Sequence, residues 1–385
     1  MNLLSTPIPQ TRITKKKLRE SKLIDIVNFR KYQYALLPNF IELFINYISS
    51  QNNNYLKCSK IEISPLINYK NFSSSELTTI AVYVNESKQE KLFFKIFIPS
   101  LVEDNFFFLN GNYYTPVIYL LDKPIVEKNK STKIYALFNS LTIFYKNKVV
   151  SFCGVNIPFK LFFSLLYYKD TTIDDLIKKK IGYIEYETEE NTLNYFNKNI
   201  RRNSINKIIN YFNKLMFDDY TYNLYKTSYN MNKVNLLSVI KKALSKENDK
   251  NFVDLTEKRF VFMELILAPI IKKVASVANL AIKGFKNDII KTDFFEIVKH
   301  FQTKLKGNFL YNSSNLLSCS QIFKASMISP FVKQPPNLSS LHNTHFKTIC
   351  PITVSSDNPG EIISITSSTK VDTFGYIKTL NPFLD

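Results

Sequence analysis

The sequence predicts an α+β fold of more than one domain. Three observations carry this reading. Apolar residues recur at helical spacing near the N-terminus, β-branched and aromatic runs with a tight-turn signal follow, and helical spacing returns from Leu236. With 385 residues, 45% of them hydrophobic, the chain has ample apolar side chain for two or three buried cores.

The stretch KKKLRESKLIDIVNFRKYQYALLPNFIELFINYIS predicts two helices. Leu18, Leu23, Ile26 and Phe29 share one face of the first, and Phe40, Leu43, Phe44 and Ile48 share one face of the second. Pro38 suits a helix start, where a missing N–H costs nothing. ELTTIAVYVNE and KLFFKIFIPS read as strands, and FFFLNGNYYTPVIYLL as a hairpin. Asn110 and Gly111 both tolerate the positive φ of a two-residue turn. Residues 123–234 carry shorter apolar runs with polar breaks and read as a separate small module. FVDLTEKRFVFMELILAPIIKKVASVANLAIKGF predicts one long helix, or two broken at Pro269, started by Asp254 or Thr256 as a cap. DFFEIVKHFQTKLKG predicts another helix stopped by Gly307. From Tyr311 the chain is rich in Ser, Asn and Pro and reads as long loops that need a docking surface, with a strand-like FGYI near the end.

Lys and Arg number 51 against 32 Asp and Glu, a formal charge of +19. Such a surface attracts polyanions in a salt-sensitive way. Lys, Asn, Ile, Phe and Tyr all have A/T-rich codons, so base composition alone accounts for part of the lysine excess. The four cysteines, Cys58, Cys153, Cys319 and Cys350, form no CxxC pair, which argues against a zinc ribbon and a disulfide framework. No apolar run is long enough to span a bilayer, so no membrane partner is expected, and the N-terminus lacks the order of a signal peptide. No GxxxxGK[ST] is present.

LHNTHFKTICPITVSSDNPGEIISI gathers His342, His345 and Cys350. A zinc site lacks a fourth ligand at convincing spacing, Asp357 being the one candidate, and a Cys–His nucleophile is set against Pro351 and a strand-like flank. A loop shaped by its histidines is the remaining reading. KKKLR at 15–19, KNKSTK at 128–133, Lys333, Lys347 and Lys370 are candidate phosphate contacts.

Four segments, in order, resemble the N-terminal part of the β subunit of multisubunit DNA-directed RNA polymerases. NFFFLNGNYYTPVIYLLDKP at 105–124 resembles the strand–Asn-Gly–strand motif, with Asn110 and Gly111 matching. DLTEKRFVFMELI at 254–266 resembles the family's basic segment followed by Gly-Glu-Leu-Leu, with Lys258, Arg259, Glu264 and Leu265 in place. HNTHFKTICPI matches the His-x-x-His and Cys-Pro-Ile motif through His342, His345, Cys350, Pro351 and Ile352. SSTKVDTFGYI resembles the following motif, with Lys370 as its basic residue and Gly375 as its glycine. Lys347-Thr348 replace the family's Gly-Arg, and Thr353 to Asp357 replace its Glu-Thr-Pro-Glu-Gly.

The resemblance implies a protrusion from 1–122 and 235–310, a reduced lobe at 123–234 and the start of a fork at 311–385. It implies the N-terminal half of a split β subunit, as in giant bacteriophages, that walls the RNA–DNA hybrid channel and is inactive alone. His342, His345, Lys347, Cys350, Pro351, Asp357, Lys370 and Gly375 would line that channel, and Asn110, Gly111, Lys258, Arg259 and Glu264 would be structural. No catalytic residue and no metal ligand is expected in this chain. The assembled enzyme's Mg²⁺ would sit mainly on a β′-like subunit. Partners would be a C-terminal β-like subunit, β′-like subunits, a phage promoter-specificity subunit, template DNA and transcript. The place of work would be the cytoplasm of an infected bacterial host, with packaging in the virion left open. The other readings are a free-standing basic nucleic-acid-binding protein and a structural assembly protein.

Overall fold

The computed structural model describes residues 23–51, 57–66, 77–86, 89–102, 106–109, 112–114, 118–128, 130–152, 154–200, 202–246, 254–262, 264, 290–291, 324–326, 343–345, 348–349, 362–366 and 369–377. It is a mixed α+β structure in two compact units, as the sequence predicts at that level. One unit is discontinuous, Met1–Leu121 with Phe252–Asp385, and the other is the contiguous Asp122–Asn251.

The discontinuous unit opens with β1 (Ile24–Asp25), α1 (Ile26–Ala35) and α2 (Leu37–Gln51). Both N-terminal helices are present, but the first begins only at Ile26, because Ile24 and Asp25 pair with residues near the C-terminus. Leu23 is exposed, whereas Ile26, Phe29, Phe40 and Phe44 are buried. Then come β2 (Lys57–Leu66), β3 (Leu77–Glu86) and β4 (Gln89–Pro99), an antiparallel meander against which α2 packs. β5 (Leu101–Val102), β6 (Phe106–Leu109) and β7 (Asn112–Tyr114) form a small antiparallel sheet. Leu109 pairs with Asn112, the register a two-residue connection requires; Asn110 and Gly111 themselves lie outside the described residues. β8 (Ile118–Asp122) leads out of this unit.

The contiguous unit begins with a five-stranded antiparallel meander: β9 (Ile125–Lys128), β10 (Ser131–Tyr135), β11 (Ser140–Phe144), β12 (Val149–Phe152) and β13 (Val155–Pro158). Alternate residues Ile134, Leu141, Ile143, Val150, Phe152 and Ile157 are buried, the period of two expected of a sheet covered on one face. Six helices follow: α3 (Phe159–Tyr167), α4 (Ile173–Lys180), α5 (Glu189–Ile200), α6 (Ile205–Met216), α7 (Asp219–Tyr229) and α8 (Leu236–Ser245).

Local sequence explains these helices. In α6, Ile205, Ile208, Ile209, Phe212, Leu215 and Met216 recur on one buried face, and Ser204 caps it by accepting from the Lys207 N–H. Asp218 caps α7 through Thr221 N–H at 2.9 Å, and Asn230 ends it at φ 50°. Asn235 and Ser238 form a reciprocal capping box on α8. α4 carries Asp174 and Asp175 in its first turn and Lys178, Lys179 and Lys180 in its last, as the helix dipole favours.

Phe212 packs edge-on against Phe152 of the sheet, at 5.1 Å between centroids, and also meets Phe196. Truncating such a buried ring costs about 3–5 kcal/mol. Tyr225 donates to the Tyr135 carbonyl at 2.7 Å, and Thr221 Oγ1 accepts from the Leu137 N–H, so α7 is pinned to the β10–β11 connection. Lys180 meets Glu127 at 2.7 Å with both side chains largely buried.

Two expectations are corrected here. The module boundary at residue 234 gives α8 to the flanking domain, yet Val239, Ile240 and Ala243 of α8 are buried where it packs on α4 and α6, and the contiguous unit runs to Asn251. The long helix from Phe252 is also interrupted. Leu255–Glu257 is a 3₁₀ turn with Asp254 as its cap, and β14 (Lys258–Val261) follows it. β14 lies beside β8, and that tertiary pairing overrides the helical pattern of KRFVFMEL. Pro269, Gly307 and the helix predicted around His300 lie outside the described residues.

The chain adds β15 (Ile290–Lys291) parallel to β4, β16 (Lys324–Ser326) parallel to β8, β17 (Ile362–Ser364) antiparallel to β16, and β18 (Lys370–Val371) antiparallel to β1. The FGYI segment is a tight turn with isolated bridges at Tyr376 and Ile377, not a regular strand. Among the described residues no helix is long and apolar enough to cross a membrane.

Candidate functional site

The junction of four remote segments is the candidate site. Ile118 and Leu120 of β8, Leu255 and Phe260 around β14, Ile365 beyond β17, and Val371 and Ile377 share one buried cluster with Ile26 and Phe29 of α1. Ile24 and Ile349 pack against it. Each of the four segments that resemble the polymerase family therefore places at least one side chain in the same core or against it.

The C-terminal turn is built by an Asp. Asp372 Oδ1 accepts from the Phe374 and Tyr376 N–H groups at 2.9 and 3.0 Å, and the Gly375 N–H donates to the Asp372 carbonyl at 3.0 Å. This is the Asp-first, Gly-fourth pattern of a β-turn. Gly375 has φ +88°, and a Cβ there would sit 2.0 Å from the Phe260 carbonyl oxygen. The Phe260 N–H donates to the Gly375 carbonyl at 2.7 Å, and Arg259 bridges to Tyr376. The glycine is required by the close approach of β14, a reason separate from its match to a family motif.

Arg259 is buried and forms two parallel hydrogen bonds to Glu264, at 2.7 and 2.6 Å. This fork-on-carboxylate pairing is the strong geometry for a desolvated guanidinium. Lys258 is buried as well. Both basic residues are built into the scaffold.

His345 ends the 3₁₀ turn Asn343–His345 and is half-buried. Its carbonyl accepts from the Thr348 and Ile349 N–H groups at 3.2 and 2.9 Å. Thr344 Oγ1 accepts from the Leu255 N–H at 3.0 Å, which ties the histidine turn to the segment before β14. The Thr348 carbonyl accepts from the Thr366 N–H, and Ile349 bridges to Ile365. Thr366 and Thr369 share a hydroxyl–hydroxyl bond of 2.8 Å. On the other side, the Thr369 carbonyl accepts from the Ile26 N–H at the start of α1. The Tyr32 phenol hydrogen-bonds Thr373 and is pushed up to about 12, first by burial and then by the negative charge of Asp372.

Among the sequence candidates, the structure brings His345, Gly375, Arg259 and Glu264 into this junction, and leaves Lys370 exposed at its edge. His342, Lys347, Cys350, Pro351 and Asp357 lie outside the described residues, as do Lys333 and the KKKLR segment. Sequence reasoning missed Tyr32, Thr344, Thr369 and Asp372. Asp372 was findable, because Asp-Thr-Phe-Gly has the turn signature; the threonines carried no local signal.

Among the described residues no group of three or more His, Cys, Asp or Glu side chains is placed to hold a metal ion. What the arrangement can do is hold four remote chain segments in fixed register, with Lys370 exposed beside them. No protein-family model matches the chain, and no curated protein matches it.

Proposed function

We propose that this chain is the N-terminal half of a split β-like subunit of a DNA-dependent RNA polymerase, forming part of the wall of the RNA–DNA hybrid channel. One observation carries the reading. The four segments that resemble the family, spread from Ile118 to Ile377, meet around one core, with Gly375 seated on Phe260. A common scaffold for the four segments is what the resemblance requires, and this core is consistent with it.

In this reading the chain supplies geometry and phosphate contacts. Template-directed polymerisation is two-metal phosphoryl transfer, in which positioning and electrostatics provide most of the acceleration. The Mg²⁺ ligands belong to a β′-like partner, and a C-terminal β-like part completes the channel. His342, His345, Lys347, Cys350, Pro351, Asp357 and Lys370 would face nucleic acid.

The test is affinity capture of the tagged chain from the cells that make it, followed by mass spectrometry and an RNA-synthesis assay with template, NTPs and Mg²⁺. The expected result is co-purified β-like and β′-like chains and RNA synthesis by the complex, with none by the isolated chain. RNA extension by the chain alone, or a captured complex without those partners, overturns the proposal.

A further inference from the structure

The contiguous unit leaves one face of its sheet without the apolar burial of the other. Inward residues of β10, β11 and β12 pack under the helices, while Ser131, Lys133, Thr142 and Ser151 alternate outward and are half-buried. The register aligns Lys133, Thr142, Ser151 and Asn156 in one polar row across four strands. One row along, Phe144 stands between Ser131 and Val149 and is 38% exposed. An aromatic ring more than a third exposed on a β-surface, beside a row of hydrogen-bonding groups, offers a face on which a base can stack.

Cations ring the same end of the sheet. The β9–β10 and β11–β12 turns lie there together, and the Tyr145 N–H donates to the Lys130 carbonyl at 3.0 Å, coupling them. Lys148 holds φ 49° in its turn, and its carbonyl accepts from the Phe159 N–H at 3.0 Å. The Tyr145 hydroxyl is bonded to the Thr132 hydroxyl, which braces the second turn against β10. Lys130, Lys146 and Lys148 are all exposed, and among the described residues none has a carboxylate partner. Glu127, opposite Thr132 beside the β9–β10 turn, is engaged with Lys180.

We infer that this sheet face binds a single-stranded nucleic acid, with Lys130, Lys146 and Lys148 on consecutive phosphates and Phe144 stacked on an unpaired base. A duplex hides its base faces inside its own stack, so it can use the lysines but not the ring. The polar row is positioned to meet the edge of a splayed base or its sugar. The inference rests on the contiguous unit alone and stands whether or not the polymerase reading holds.

The test is fluorescence anisotropy of the full chain with a labelled oligothymidylate of about twenty nucleotides, and with a duplex of equal length, between 50 and 200 mM NaCl. The parent binds the single strand more tightly than the duplex. K130Q/K146Q/K148Q flattens the salt slope by about 2, from three contacts at about 0.7 each, so the parent's advantage over it shrinks roughly twentyfold across that salt range. F144A weakens single-strand binding about fivefold or more and leaves the salt slope unchanged. K179Q/K214Q/K226Q removes the same charge from exposed helix positions of the unit and changes binding less than about twofold. An equal loss in that control, an unaffected F144A, or a duplex bound as tightly as the single strand each overturns the inference.

Discussion

Replacing Gly375 by alanine tests the junction at its tightest point. At φ +88° an L-residue costs about 1–2 kcal/mol. The new Cβ would also lie 2.0 Å from the Phe260 carbonyl oxygen, a backbone atom that no side-chain rotation can move away. Relief requires β14 and the 372–376 turn to separate, which breaks the 2.7 Å Phe260–Gly375 bond. That loses about 1 kcal/mol for the bond and about 1–3 kcal/mol more for buried groups left unpaired. The total is about 3–6 kcal/mol, or at least a hundredfold in an opening equilibrium. Gly182→Ala is the control. Gly182 has φ +92° but open space where its methyl would project, so it should show the conformational cost alone, about 1–2 kcal/mol. Hydrogen exchange followed by mass spectrometry reads both. Amides of 258–262 and 372–377 should exchange at least about a hundred times faster in G375A, whereas G182A perturbs only its own segment, and by much less. Similar local effects from the two substitutions would refute the close-approach argument.

Three further outcomes concern stability and one concerns nucleic acid. Glu264→Gln leaves the buried Arg259 guanidinium without its counter-charge and should lower the stability of the discontinuous unit by about 3 kcal/mol or more, read as a lower urea midpoint for protection of the 255–262 amides. The Asp218 carboxyl is pushed from 3.8 up to about 6, chiefly by burial, so its folded form holds the proton more tightly than the unfolded chain does. Its contribution to stability is full below about pH 4 and lost as the pH rises through 6; Asp218→Asn keeps an acceptor for the Thr221 N–H and should raise the melting temperature at pH 7 but not at pH 4. Asp170 behaves oppositely: its hydrogen bonds to Lys241 and Thr172 hold it down to about 2, so its contribution is present above about pH 4 and lost as the pH falls toward 2, and Asp170→Asn should remove that part of the acid limb of a melting curve. In an assembled transcription complex, Lys370→Ala should shorten complex lifetime and reduce the salt slope by about 1, with little dependence on template sequence.

What could be read in the chain was what local chemistry decides. The α+β class, the two N-terminal helices, the β3–β4 strands and the register around Asn110-Gly111 all rest on short-range periodicity or turn preference. The two-residue β1 strand was not legible, because its partner is β18 at the far end of the chain. β14 was misread as helix for the same reason: the spacing of KRFVFMEL suits a helix, and only its place beside β8 selects the strand. At the site, the resemblance named Arg259 and Glu264 as structural and Gly375 as channel-lining, without the geometry that holds them. That geometry is a carbonyl 2.0 Å from an absent methyl and a buried fork-shaped ion pair, and both depend on segments that sequence distance conceals. The outward position of Phe144 followed from register, which becomes visible only when the strands are paired.

The two units differ in how they can come into being on the ribosome. Asp122–Asn251 is contiguous, so its sheet and helices can close as soon as that stretch has emerged. The other core cannot: Ile26 and Phe29 leave the exit tunnel early, and their neighbours Ile365, Val371 and Ile377 are added near the end of translation. At about 5–20 residues per second, that interval lasts on the order of tens of seconds. Through it the nascent N-terminal helix carries apolar residues whose C-terminal partners do not yet exist, and the finished middle domain waits tethered between two halves of an unclosed neighbour.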